Sequence, residues 1–385
     1  MERRTETPLR VALVRQRYTP FGGAERFVDR VMETLVRQEI TVTIVARRWR
    51  GDEKNESAPR CDPFHIGRLW RDYGFARCVQ QQWLGRPEWV VQSHERIPGC
   101  NLYRAGDGVH AQWLHNRARI QNPWQYLATR FNPYHRYLCA MERRLFTHPS
   151  LRAVICNSIM VRDEIISWFQ IPKEKLHVIY SGVDTVTFHP RSKEDHEHHV
   201  RSEWNIPPDA TLFLFVGSGY ERKGLLPLLQ AMTQVKHAWL LVVGRDAQER
   251  KFKKIANRLQ VSDRVRFAGG RKEVRPFYAA ADAVVLPTLY DPFPNVALET
   301  MACGLPLVTS HQCGASDFLK EGRAGLLCDA LDVATLAQHL TSLMDPQLRY
   351  RLGNEGRTLA ETLTWERMGA RLDALYRQVF NADLK

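Results

Sequence analysis

One stretch constrains this chain more than any other: Ala283 to Ser310, AVVLPTLYDPFPNVALETMACGLPLVTS. Its β-branched run Ala283 to Leu286 breaks at Pro287, an irregular loop follows, and Asn295 to Cys303 has the composition of a short helix ending at Gly304. Strand, loop and helix in that order make one step of an α/β fold. At the loop-to-helix junction the first backbone N–H groups have no intrahelical partner and carry partial positive charge, which suits an anionic or hydroxyl-rich ligand. Asp291 lies in the loop and Glu299 on the helix, eight positions later. The loop carboxylate can reach a ligand above the helix start, and the helical one sits about two turns along. A plain strand-loop-helix with a surface carboxylate and Asn295 as N-cap fits the same letters.

The alternation recurs on both sides of this stretch. Val11 to Arg15 reads as a first buried strand, and the turn at Gly22 and Gly23 opens a helix with Phe27, Val31 and Leu35 at helical spacing. Without Cβ atoms those glycines let the backbone approach a ligand, and the helix start behind them attracts phosphate or carboxylate. Thr41 to Ala46 and Trp89 to Gln92 read as strands, Arg47 to Pro63 as polar loop, and Leu151 to Asn157 as the last strand of the first domain. His94 and Asp107 fall in the loops after the Trp89 strand; His94 reads as an acceptor-site or acid/base group or as a plain polar loop histidine, and Asp107 also fits a plain Asp-Gly turn. The charged run RSKEDHEHHVRSEWN reads as a solvated linker, its histidines lacking a second ligand cluster, and places a boundary near residue 190.

The second half restarts at Thr211 to Val216 and turns through GSGYERKG into a helix from Leu225. Adjacent Arg222 and Lys223 on a glycine-bounded turn at a strand's carboxyl end can bind a diphosphate without a metal, the arginine gripping two oxygens and the lysine adding a mobile point charge. Further strands read at Trp239 to Val243, Val265 to Ala268 (followed by Gly269-Gly270-Arg271) and Ala324 to Cys328, and helices with Trp365 run to the end.

At 385 residues and 44% hydrophobic content the chain supports two packed domains. No apolar run approaches the ~20 residues that span a bilayer, and the charged start runs straight into a strand, so no secretory signal is read. The eight cysteines form no CxxC pair or His/Cys cluster; neither a zinc site nor a disulfide framework is expected, and the compartment is read as reducing and cytoplasmic. The net charge of +13 calls for an anionic partner, but no nucleic-acid signature accompanies it. Ala111 to Phe146 carries six arginines against the single acid Glu142, interleaved with seven aromatic residues. Such a face suits anionic lipid headgroups, and it also fits helices that turn their aromatics inward.

The 283–310 stretch resembles the signature of the retaining GT-B glycosyltransferases, family 4 in particular, in which paired acids flank a loop containing Pro, Phe and Gly. This sequence has Asp291 where the family usually has Glu, which shortens the reach by one methylene. The resemblance implies a GT-B fold, two doubly wound Rossmann-like domains facing each other across a cleft: 1–190 for the acceptor, 191–363 for the nucleotide sugar, and 364–385 crossing back to the first. It further implies that Asp291 and the loop, with Phe293 and Asn295, hold the donor sugar and that Glu299 binds the ribose hydroxyls. Arg222 and Lys223 would bind the diphosphate, Arg271 would stack on the base, and Gly22 and Gly23 would meet the donor phosphates and the acceptor. Pro98-Gly99, Tyr103 and Asp107 resemble the lipopolysaccharide core glucosyltransferases, which implies an acid near the transferred sugar at Asp107. The partners implied are a UDP-sugar such as UDP-glucose as co-substrate, no metal or other cofactor, and a lipid-linked glycan acceptor at the inner face of the cytoplasmic membrane. GDP- or ADP-activated donors, or a nucleotide-sugar epimerase or binding protein, are the alternatives. A tandem dehydrogenase would need a full GxGxxG with an acid about 20 residues on, and neither half has one.

Overall fold

The computed structural model describes residues 9–18, 40–49, 61–190, 192–319 and 322–383. Gly22 and Gly23 and the helix expected after them lie outside the described residues. The chain divides into two compact units, Met1–Tyr180 with Trp365–Lys385, and Ser181–Thr364.

The strands of the first unit are β1 (Arg10–Val14), β2 (Arg17–Tyr18), β3 (Thr41–Val45), β4 (Arg48–Trp49), β5 (Val90–Ser93), β6 (Leu102–Arg104), β7 (Ala153–Cys156) and β8 (Leu176–Val178). Six of them form one parallel sheet in the order β3-β1-β5-β6-β7-β8, while β2 and β4 pair with each other. Parallel sheets need cover on both faces, because successive side chains point to opposite sides. Ala12 and Val14 enter a core with Phe75, Tyr103 and Phe146. Val11 and Leu13 enter the opposite core, which the helix Trp365–Asp383 closes with Leu372, Tyr376, Val379 and Phe380. The Tyr376 hydroxyl donates to Gln92 Oε1 at 2.7 Å, pinning that helix to β5.

The second unit holds β9 (Thr211–Val216), β10 (Ala238–Val243), β11 (Val265–Gly269), β12 (Ala283–Leu286), β13 (Leu307–Ser310) and β14 (Gly325–Cys328), all parallel in the order β11-β10-β9-β12-β13-β14. TLFLFV of β9 is buried throughout, as an uninterrupted apolar run in a sheet covered on both faces must be. In each sheet the chain starts in the middle and winds both ways, so the switch points lie between β1 and β5 and between β9 and β12. Ligands of such sheets bind beyond the carboxyl ends of the strands at that point.

Several expectations need correction. Leu151 to Asn157 is not the last strand of its unit, since β8 follows, and the three-residue β6 was missed because so short a segment shows no periodicity. The charged run after residue 190 is a helix, Ser192–Glu203, rather than a solvated linker. It is anchored by Val200 and by the buried Arg201, which donates to Asp282 Oδ2 at 2.9 Å and to the Ala210 carbonyl at 2.7 Å. One ion-paired arginine does what an apolar stripe does elsewhere. Cys61 and Cys78 are joined in a disulfide with Cα atoms 5.7 Å apart, against the expectation of none. Cys78 lies on the helix Gly67–Gln82, which folds back over Cys61, a juxtaposition that no spacing rule reads. The cysteine argument for a reducing compartment falls with it. Among the described residues no helix is long and apolar enough to cross a membrane.

Candidate active site

The site in the second unit is built at the β9/β12 switch. After β9 the chain turns through Gly217 to Gly224, and a Cβ on Gly224, at φ +79°, would stand 1.9 Å from the Pro287 carbonyl oxygen, so only glycine lets the two loops touch there. Leu289 N–H and the Thr288 hydroxyl donate to the Arg222 carbonyl at 2.8 and 3.0 Å, stitching the loop after β12 to the one after β9. The loop after β10 joins them: Tyr220 N–H donates to Asp246 Oδ2, and the Tyr220 hydroxyl donates to the Gly244 carbonyl, each at 2.8 Å.

This frame brings Arg222, Lys223 and Asp291 together. Arg222 Nη1 donates to the Tyr290 carbonyl at 2.8 Å and to Asp291 Oδ2 at 3.2 Å, and Lys223 Nζ donates to the same carboxylate oxygen at 3.3 Å. Asp291 is fixed through its backbone, its N–H donating to the Gln312 carbonyl at 3.1 Å and its carbonyl accepting from Gly314 N–H at 2.8 Å. Lys223 and Asp291 are buried, while the Arg222 side chain is 37% exposed. Two cations sharing one carboxylate leave a net positive site beside the start of the helix Asn295–Ala302, the electrostatics an anionic group requires. The sequence separates Asp291 from the cations in role; the structure makes it the group that holds them in place.

Glu299 is buried on that helix, and its Oε2 accepts the Tyr278 hydroxyl at 2.8 Å. Tyr278, which sequence reasoning missed, reaches it from the helix Arg275–Ala280 and packs edge-on against Phe188 at 5.8 Å between centroids. Asn295 is the first residue of the helix, with Pro294 rather than Asn295 at the N-cap, and Phe293 packs edge-on against Phe318 at 5.7 Å. Arg271 lies with its guanidinium 5.4 Å from the Trp204 ring and 5.9 Å from that of Phe277, its Nε donating to the Ala268 carbonyl at 3.1 Å.

In the first unit Asp107 is exposed in the turn after β6, where Gly108 takes φ +67°. Arg96 Nη2 donates to the Gly108 carbonyl at 3.2 Å, and its Nε donates to the buried Glu142 at 2.8 Å. Glu142 also accepts His110 N–H at 2.6 Å, capping the helix His110–Ala118. Its isolation among arginines was the only sequence signal for this role. His94 is buried, its Nε2 3.0 Å from Gln92 Nε2, and burial with the nearby Arg104 and Arg15 holds its pKa well below the imidazole range. A neutral buried imidazole is not placed to serve as an exposed acid or base.

Residues 21–187 match the family model described as Glycosyltransferase Family 4, and residues 197–359 match Glycosyl transferases group 1. The lipopolysaccharide core biosynthesis glycosyltransferase LpsE of Rhizobium meliloti (strain 1021) is 26% identical over 347 residues, 87% of this chain and 89% of that one. The lipopolysaccharide glucosyltransferase WaaG of Escherichia coli (strain K12) is 26% identical over 325 residues, 82% and 84% of the two chains. The crystal structure of WaaG, a glycosyltransferase involved in lipopolysaccharide biosynthesis, has a TM-score of 0.79 at 23% identity, covering 95% of this chain and 99% of that one. The structure of Anabaena Alr3699/HepE in complex with UDP and glucose has a TM-score of 0.67 at 18% identity, covering 96% and 100%. Two Rossmann-like units with these strand orders are the GT-B fold, and the chain is a glycosyltransferase. Its first half carries the family 4 domain and its second half the group 1 domain, and the chain is related to the lipopolysaccharide core glucosyltransferases.

Proposed function

We propose that this chain is a retaining, metal-independent hexosyltransferase that moves a hexose, with glucose the first candidate, from a UDP-sugar to a hydroxyl of the lipopolysaccharide core or a similar lipid-linked glycan. The observation that carries the reading is the Arg222–Lys223–Asp291 cluster at the β9/β12 switch, with buried Glu299 on the adjoining helix. As the bond from the sugar carbon to the diphosphate oxygen breaks, its electron pair leaves with UDP, and preorganised cations lower the barrier for that departure. The acceptor oxygen attacks from the same face, and its proton passes to the leaving phosphate oxygen. Glu299 holds the ribose hydroxyls, Asp291 and the 291–295 loop position the sugar, and Arg271 with Phe277 and Trp204 borders the base. The names of LpsE and WaaG support the acceptor class, and the complex of a GT-B neighbour with UDP and glucose supports the donor.

Thermal denaturation in EDTA against UDP, GDP, ADP and NAD tests the donor class, followed by transfer assays with UDP-glucose and lipopolysaccharide of truncated core. Stabilisation by UDP and sugar transfer are expected. A preference for GDP or ADP would overturn the donor, and isomerisation of the sugar without transfer would overturn the reaction.

A further inference from the structure

Beyond Asp107, two more hydrogen-bond acceptors gather at the carboxyl edge of the first sheet, at the ends of the adjacent strands β5, β6 and β7. Glu95 follows β5. Its Oε1 accepts Gln16 N–H from the end of β1 at 2.9 Å, and its Oε2 has no hydrogen-bond partner among the described residues. Asn157 follows β7 and is 5% exposed. Its Nδ2 donates to the Gly106 carbonyl at 3.3 Å, at the base of the Asp107 turn, while its Oδ1 is buried without a partner among the described residues. A buried acceptor left unsatisfied is costly, and a ligand donor at that edge removes the cost.

We infer that Glu95, Asp107 and Asn157 form the subsite that holds the glycan acceptor, a polyhydroxyl ligand whose O–H groups donate to these three side chains. The inference rests on the transferase reading above and adds the residues that select the acceptor. All three groups accept, which suits the O–H donors of a polyhydroxyl ligand, and Arg15 and Arg96 lie in the field of Glu95 beside them. The position is the β1/β5 switch and its neighbours, where a sheet of this order binds ligands.

Ionisation sharpens the test. Burial and the Asp107 charge push the Glu95 pKa up, opposed by Gln16 N–H, Arg15 and Arg96; Tyr103 and Arg71 also lie within its field. Protonated Glu95 no longer offers a charged acceptor, so the acceptor KM rises as pH falls through the raised value.

The experiment is transfer from UDP-glucose to lipopolysaccharide of truncated core by wild type, Glu95→Gln and Asn157→Ala, with UDP affinity read by titration. Glutamine keeps an oxygen for Gln16 N–H, so Glu95→Gln separates ligand contact from folding. The expected result is an acceptor KM raised about tenfold, its pH dependence flattened, and UDP affinity at the wild-type value. Wild-type acceptor kinetics in Glu95→Gln, or a change in UDP affinity instead, overturns the subsite. If wild type binds UDP but transfers nothing to this acceptor, the acceptor reading falls and the subsite with it.

Discussion

Lys223 is the residue on which the chemistry of the proposed donor site turns. Buried and bonded to Asp291, it is held before any ligand arrives, whereas the half-exposed Arg222 can swing onto one. Lys223→Ala and Arg222→Ala are each expected to lower kcat by roughly two orders of magnitude or more while moving the acceptor KM little, as loss of a group that acts on developing charge should. Steady-state kinetics in both substrates checks this, and a change confined to the acceptor KM would reassign the pair. Glu299→Gln is expected to weaken UDP binding by about 1–3 kcal/mol, one charged hydrogen bond, in a calorimetric titration; an unchanged Kd would remove Glu299 from the nucleotide site. Both cations and both acids were legible as letters because a glycine-bounded turn and a strand-loop-helix advertise themselves. Their partnership was not, since 68 positions separate Lys223 from Asp291 and 21 separate Tyr278 from Glu299, and no local pattern encodes a pairing across strands.

At the scale of elements, the buried histidines of the first unit give a pH signature. His110 starts a helix, lies 3.0 Å from His135, and has its pKa pushed down to about 3, first by burial and then by Arg96 and His135. His94, after β5, is lowered likewise. Both therefore stay neutral when folded, yet take up protons in the unfolded chain near the ordinary value of about 6.5. The stability they contribute is full above that pH and is lost as the pH falls below it, by up to about 1.4 kcal/mol per pH unit for each. Tm measured between pH 7 and 5 should fall, and His110→Gln should make the fall shallower; an unchanged slope would show that His110 titrates normally. Strands with unbroken apolar runs, such as β9, were readable, because burial on both faces leaves no room for polar letters. The helix Ser192–Glu203 was not, because its anchor is an arginine whose partner, Asp282, lies 81 positions away.

For the whole molecule, the basic charge and the aromatic face have one testable outcome together. Trp124 is 81% exposed and Phe131 66%, on the helix Pro123–Phe131, amid the arginines of the 111–146 segment. The chain is expected to co-sediment with phosphatidylglycerol vesicles, to lose that binding as salt rises, and to lose much of it in a Trp124→Ala/Phe131→Ala double variant. Binding indifferent to both salt and the double variant would rule this face out. The two-fold α/β plan was plain in the sequence, since its strands repeat, but the placement of the last helix rested on resemblance alone. That helix has a consequence for the order in which the chain is made. Val11 and Leu13 leave the ribosome before the second unit, yet Leu372, Tyr376 and Phe380, which cover them, leave it after that unit. The second unit, Ser181–Thr364, is contiguous and can complete its core during synthesis. The first must wait with one sheet face bare until the helix Trp365–Asp383 is released, so its core closes only after that of the second unit.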